Sequence, residues 1–165
     1  MRPERPVPDG LGIRRAREDE GAVLADLYLR VRRENAGAIP AVAHADDSVR
    51  AWWSDVLVVR DEVWVAELDG ETVGVLALRR PDWVDQLYVV GSAAGRGVGS
   101  ALLDVARREL GGRRQLWTFQ SNTGARRFYE RHGFVDVERT SGDNEEGAPD
   151  VRYLSVAEEE SRESS

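Results

Sequence analysis

Apolar residues recur along this chain with two different periods, and the change of period marks the elements. Val23, Leu24, Leu27, Tyr28 and Val31 fall at helical spacing behind Glu18-Asp19-Glu20, three carboxylates placed where a helix dipole favours negative charge. A short strand, Gly12–Arg17, precedes them. Asn35–Asp47 contains Gly37, Pro40 and His44 and reads as a loop; a second helix is predicted over Ser48–Val56, carrying Trp52 and Trp53. From Glu62 the period shortens. Glu62–Leu68 and Thr72–Leu78 read as strands joined at Asp69-Gly70, a two-residue hairpin signal. Trp83–Val90 reads as a third strand, buried on both faces by its composition.

A loop of small residues, Gly91–Gly97, leads into Val98, Ala101, Leu102, Val105, Ala106 and Leu110. These six lie on one face of a helix that Gly111-Gly112 ends. Gln115–Phe119 is a strand. Ser121 or Asn122 caps a helix running through His132, and Gly133 stops it. Phe134–Thr140 and Val151–Ala157 read as a last strand pair joined by an acidic loop. The order β-α-α-β-β-β-α-β-α-β-β predicts an α/β fold of the α+β type, with a mixed, mostly antiparallel sheet flanked by helices. There is no internal repeat. The Pro-rich residues 1–9 read as a flexible arm, 10–157 as a single domain and 158–165 as an acidic disordered tail.

Composition narrows the chemistry. A chain of 165 residues with 41% hydrophobic and 32% charged positions has the length of one domain and enough apolar side chains for a core. No apolar run approaches the roughly 18 residues of a membrane span, and Met1–Pro8 lacks the apolar stretch of a secretory signal, so the cytoplasm is the expected compartment. Cys is absent, which removes thiolate nucleophiles and Cys-based metal sites; with only two His, no metal is expected. All 23 basic residues are Arg. The lack of Lys excludes a Walker-type phosphate lysine and a Schiff-base lysine. Residues 1–135 are charge-balanced, and the whole net charge of −7 falls on 136–165. That balance argues against nucleic acid as a partner.

The densest chemical signal runs from Leu87 to Ser100: a strand, a turn holding Gly91, Gly95, Gly97 and Gly99, then a helix. Closely spaced glycines let backbone N–H groups converge, and the helix dipole adds positive charge, so a phosphate or pyrophosphate is held without Lys. A dinucleotide fingerprint would need a third Gly at Ser100 and fails there. Gly97-Val98-Gly99 instead fits the second half of a Gln/Arg-x-x-Gly-x-Gly/Ala pattern.

With this segment the chain resembles the GNAT superfamily of N-acetyltransferases, which bind acetyl-coenzyme A. The likeness covers about Gly12 to Ala157. It rests on Leu87–Leu103 and on Asn122-Thr123-Gly124-Ala125-Arg126-Arg127-Phe128-Tyr129-Glu130-Arg131-His132-Gly133-Phe134, which resembles the family's Asn-x-x-Ala-x-x-Phe-Tyr-x-x-x-Gly-Phe pattern. The chain departs from the family at Ala94, where Gln or Arg is usual; Arg96 is the neighbouring charge.

The resemblance implies transfer of an acetyl group from acetyl-CoA to the amine of a small molecule or a protein, with no metal. It implies cofactor contacts from Leu87, Tyr88, Val89, Gly95, Arg96, Gly97, Val98, Gly99, Ser100 and Asn122. It makes Tyr129 the donor to the departing thiolate and the Val89 N–H the oxyanion donor. Asp85, two residues before Leu87 and so predicted on the face of Leu87 and Val89, is the candidate general base, with Glu67 in reserve; the alternative for Asp85 is a strand-end ion pair with Arg79 or Arg80. His44, Glu145, Glu146 and Asp150 are candidate acceptor contacts, the last three by an acidic loop suited to a cationic amine. His132 is expected to be structural. A longer acyl donor, a homodimer using Trp52-Trp53, and a sensor that binds acyl-CoA without turnover are the remaining readings.

Overall fold

The computed structural model describes residues 7–157. The acidic tail and most of the N-terminal arm lie outside them. The described residues form seven strands: β1 (Leu11–Arg15), β2 (Glu62–Leu68), β3 (Glu71–Arg79), β4 (Trp83–Val89), β5 (Arg113–Phe119), β6 (Val135–Arg139) and β7 (Asp150–Val156). They make one sheet in the order β1-β2-β3-β4-β5-β7-β6. Every neighbouring pair is antiparallel except β4–β5, which is parallel. The helices are α1 (Gly21–Glu34), α2 (Asp46–Trp52), α3 (Val58–Arg60), α4 (Val98–Leu110) and α5 (Thr123–Arg131). The mixed sheet and the strand order along the chain are those the periodicity predicts, with three helices, α1 to α3, where it predicts two.

The two faces of the sheet are covered by different helices. Gly74 of β3 approaches Val98 and Leu102 of α4, so alternate residues of β3 and β4 on that face pack under α4. On the other face Tyr88 meets Tyr28 of α1 edge-on at 5.0 Å. Leu24, Leu57, Val65, Val75, Leu76, Leu102 and Leu103 are fully buried between these layers. Each such side chain contributes about 1.5–3 kcal/mol of apolar burial.

Two features differ from the pattern in the sequence. The second helix does not run evenly over Ser48–Val56: α2 passes into α3 through a π-helical turn at Trp53–Leu57. Trp53, four residues after the buried Val49 and so on the same face of α2, enters the core, 1% exposed and 5.4 Å from the Tyr28 ring. Trp52 stays 38% exposed, under the Arg60 guanidinium. β4 is not buried on both faces. Val84 is buried, but Asp85 to Val89 are half-exposed, because β5 leaves its side.

The corner between β1 and α1 is held by one buried carboxylate. Glu20 accepts two bonds from Arg14, at 2.8 and 2.7 Å, and one from the Arg17 N–H at 2.6 Å. These partners hold its carboxyl down at about 2. A depressed carboxylate stabilises the fold fully above its unfolded pKa and loses that contribution as pH falls through the folded one. Glu20→Gln is expected to cost about 2 kcal/mol at pH 7. Urea unfolding should show the difference from wild type shrinking between about pH 4 and pH 2.

Candidate active site

The central gap in the sheet starts from a single bridge. β4 and β5 pair only at Trp83 and Gln115, beside a hydrogen bond from the Gln115 N–H to the Asp82 carbonyl. Beyond that point the strands separate. The Val90 N–H donates to the Val73 carbonyl at 2.9 Å. Alternation along an antiparallel ladder then turns the Tyr88 and Gln86 N–H groups toward β3, and those of Val89 and Leu87 into the gap. A buried backbone donor without a partner is costly, so this edge is built to be met by something that enters.

The gap opens into a cleft of about 570 Å³. Its walls are Asp85, Leu87, Tyr88 and Val89 of β4, Trp117 and Phe119 of β5, and Asn122, Phe128 and Tyr129 at α5. Its end is formed by Gly95, Gly97, Gly99 and Ser100. Gly97 is the N-cap of α4 at φ +89°, a left-handed conformation that turns the chain directly from loop to helix. Among the described residues no side chain caps that end, and its first turn holds no acidic residue. The first intrahelical bond found there is Ala101 N–H to Gly97 carbonyl, so the donors before it point outward. An uncapped thirteen-residue helix closing an elongated cleft suits a phosphate at one end of a long ligand. At Gly99 a Cβ would lie 3.3 Å from the Phe128 ring, so the missing side chain lets α5 close against α4.

Eight of the ten positions expected to contact the cofactor line this cleft. Val98 does not: it is 1% exposed and packs in the core, leaving its backbone N–H for the helix end. Arg96 is exposed and also stands outside the lining. Arg131 lines the cleft instead, a cation that the motif reading did not single out. Asn122 caps α5 by accepting from the Ala125 N–H at 3.2 Å while facing the cleft, so the cap and a ligand contact coexist. The Ser100 hydroxyl is committed to His132. His132 Nδ1 donates to the Phe128 carbonyl at 2.8 Å, which leaves Nε2 to accept from Ser100 at 3.0 Å. His132 thereby ties α5 to α4.

Tyr129 is 8% exposed and packs against Phe128, Phe134 and Tyr153. Burial pushes its hydroxyl above the usual phenol range. The hydroxyl has no hydrogen-bond partner among the described residues and lies at the cleft wall, free to donate.

Asp85 sits where the β3–β4 register breaks: Ala77 faces Gln86, but Leu78 faces Val84. Asp85 is the extra residue of a β-bulge, and this re-aims its carboxylate. It does not share the face of Leu87 and Val89; it turns to the α2–α3 side, where Arg60 holds it at 2.8 Å. Its ion-pair partner is Arg60, not Arg79 or Arg80; Arg80 binds Glu62. Burial, and then the neighbouring Asp61 carboxyl, push Asp85 up to about 7 against the pull of Arg60 and Arg79. Asp61 is itself bonded to Arg60 at 2.8 Å. Arg60 and Asp61 carry no motif; only the turn from α3 into β2 brings them here.

The other candidates are held elsewhere. Glu67 binds Arg14 outside the cleft. His44 Nε2 lies 3.1 Å from Glu145, which ties the α1–α2 loop to the β6–β7 loop. Asp150 accepts from Thr140 and Asn144 and closes its own turn. Glu146 is 3.8 Å from Arg32, and it is Arg32 that lines the cleft, stacked on Tyr28 and Phe119. None of His44, Glu145, Glu146 and Asp150 is in the cleft lining.

Comparison with known proteins finds the same fold and a family likeness. Residues 59–136 match the family model described as an acetyltransferase (GNAT) domain. An uncharacterized N-acetyltransferase of Methanocaldococcus jannaschii is 33% identical over 107 residues, which cover 55% of this chain. The match takes in 47% of that protein, so the chain spans about half the length of this relative. Among solved structures, a GCN5-related N-acetyltransferase from Rhodopseudomonas palustris superposes with a TM-score of 0.72 at 19% identity, covering 93% of this chain and all of that one. A putative acetyltransferase from Salmonella typhimurium, solved with acetyl-CoA, gives 0.64 at 20% identity, covering 92% and 96%. Over residues 59–136 the chain is thus similar to a GNAT acetyltransferase domain, and its fold is that of these solved N-acetyltransferases.

Two outcomes follow from this geometry. Gly97→Ala places a Cβ at a left-handed position, a strain of about 1–2 kcal/mol, and is expected to weaken coenzyme A binding about tenfold by calorimetric titration. Asp85 has a raised carboxyl, so it supports the fold when protonated and opposes it once ionised. The stability of wild type relative to Asp85→Asn should decline from about pH 4 to about pH 7 and level off above, as read by thermal melts.

Proposed function

We propose that the protein is an acetyl-CoA-dependent N-acetyltransferase whose acceptor is an amine on a small molecule or a protein. The observation that carries this reading is the single-bridge split of β4 from β5, with the Leu87 and Val89 N–H groups facing a cleft that ends on the uncapped start of α4. The residues fit the co-substrate. The α4 first turn, with Arg131 nearby, provides donors and charge for phosphates. The free β4 edge provides backbone bonds for an amide-bearing arm. The Val89 N–H is available to an acyl oxygen.

The bound co-substrate supplies an activated acetyl group on sulfur. The chain's residues do the rest. A free alkyl ammonium has a pKa near 10.4 and must lose a proton before its nitrogen attacks. Asp85, raised by its surroundings, is the cleft carboxylate suited to accept it near neutral pH. The Val89 N–H stabilises negative charge as it develops on oxygen. Tyr129 donates a hydrogen bond to the departing thiolate. A phenol raised by burial is a weaker acid than a thiol, so Tyr129 stabilises the thiolate; the proton the thiolate finally keeps comes from the nitrogen through this hydroxyl.

Thiol release measured with acetyl-CoA and a panel of amines tests the reading. Release should depend on both substrates, and Tyr129→Phe should lower kcat roughly 10- to 100-fold with little change in KM, the loss of one bond to a charged group. The exposed Ala94, with no side chain to reach a pyrophosphate, favours a second reading, a sensor that binds acyl-CoA without turnover. Saturable binding with no release on any amine would establish it.

A further inference from the structure

The Asp85 bulge brings a second carboxyl into the cleft's inner wall. Asp61, between α3 and β2, has a side chain with no exposed surface. One of its oxygens binds Arg60 at 2.8 Å; the other, Oδ2, is buried with no donor partner. An unmatched buried carboxylate oxygen is expensive. The Asp85 carboxyl is the neighbour of Asp61 on the same guanidinium, since Arg60 binds both. Two carboxylates on one guanidinium, Asp61 fully buried and Asp85 26% exposed, repel when both are ionised, and both are relieved if one proton lies between them.

Arg60 spans the pair, holding Asp61 Oδ1 at 2.8 Å and Asp85 Oδ2 at 2.8 Å. It leaves the remaining oxygens free to share a proton. The charged groups acting on Asp85 are Asp61 at the start of β2, Arg60 on α3 and Arg79 on β3. Arg60 is itself fixed over the Trp52 ring at 5.3 Å, so the whole arrangement is set by the helix–strand junction.

We propose that Asp61 and Asp85 form a carboxyl pair that shares one proton across the bulge, and that Asp61 is the positioning residue which makes Asp85 basic enough to deprotonate the acceptor. This rests on the reading of Asp85 as the proton acceptor. In the active form both carboxyls are ionised. The acceptor R–NH3+ gives one proton to Asp85, and that proton becomes the shared one. The N–C bond forms and the C–S bond breaks. The second nitrogen proton passes to the thiolate, and the pair returns its proton to water. The sum is R–NH3+ plus acetyl thioester giving R–NH–acetyl, free thiol and one proton.

The test is carbon-13 NMR of the aspartate carboxyl carbons across pH, alongside the pH profile of kcat/KM. In wild type the Asp61 and Asp85 resonances should move together at the upper, near-neutral step. In Asp61→Asn, checked for folding by its thermal melt, the Asp85 titration should drop by at least about one pH unit. The acid limb of kcat/KM should move down with it. An Asp61 resonance flat through the upper step overturns the pair, and this needs no variant, so a misfolded Asp61→Asn does not protect the proposal. An Asp85 titration unmoved in a folded Asp61→Asn also overturns it. Undiminished thiol release by Asp85→Asn would instead refute Asp85 as the proton acceptor and the catalytic role given to Asp61, while the resonances still decide whether the pair exists.

Discussion

The structure depends on one missing set of hydrogen bonds. A parallel pair at the centre of a sheet ordinarily continues for the length of both strands, because each unpaired backbone group left inside costs free energy. Here β4 and β5 make one bridge and part. The N–H groups of Leu87 and Val89 then face a cleft, where water or a ligand must satisfy them. The surrounding elements hold the gap open: α4 lies across one face of β4, Tyr28 and Trp53 pack over the other, and α5 closes on α4 through Gly99 and His132.

Charge is arranged around the same gap. With Arg as its sole basic side chain, the chain uses forked guanidinium groups to tie distant segments. Arg14 joins β1, the start of α1 and β2 through Glu20 and Glu67. Arg32 sits against two rings at the cleft wall, and Arg60 clamps two aspartates at the bulge. The bulge that re-aims Asp85 also brings it to Asp61. A local irregularity of one strand thus re-aims the carboxylate, whose burial and neighbours raise it.

Much of the fold is legible in the sequence because each element carries its own period. The α4 stripe from Val98 to Leu110, the Asp69-Gly70 turn and the Asn122 cap are local signals, and the structure places all three as read. The cleft end is legible for the same reason: glycines at 95, 97 and 99 have few other uses together before a helix. Tyr129 is singled out by its motif, and its hydroxyl, without a partner among the described residues, meets the condition that the proposed role sets. What the sequence hides is non-local. A bulge adds one residue against the partner strand, and nothing in Trp83–Val90 marks it; the strict alternation that put Asp85 beside Leu87 therefore fails. The π turn hides in the same way, since nothing in Trp53–Leu57 marks it. Asp61 and Arg60 lie 24 and 25 positions from Asp85 and share no pattern with it.

The central claim is that the β4 edge is left open for the co-substrate, and amide hydrogen exchange at single residues tests it most directly. In the free protein the Leu87 and Val89 amides should exchange much faster than those of Gln86 and Tyr88, which β3 holds. Coenzyme A should slow Leu87 and Val89 selectively. Equal protection of all four amides without ligand, or no change on adding coenzyme A at saturation, would contradict the account.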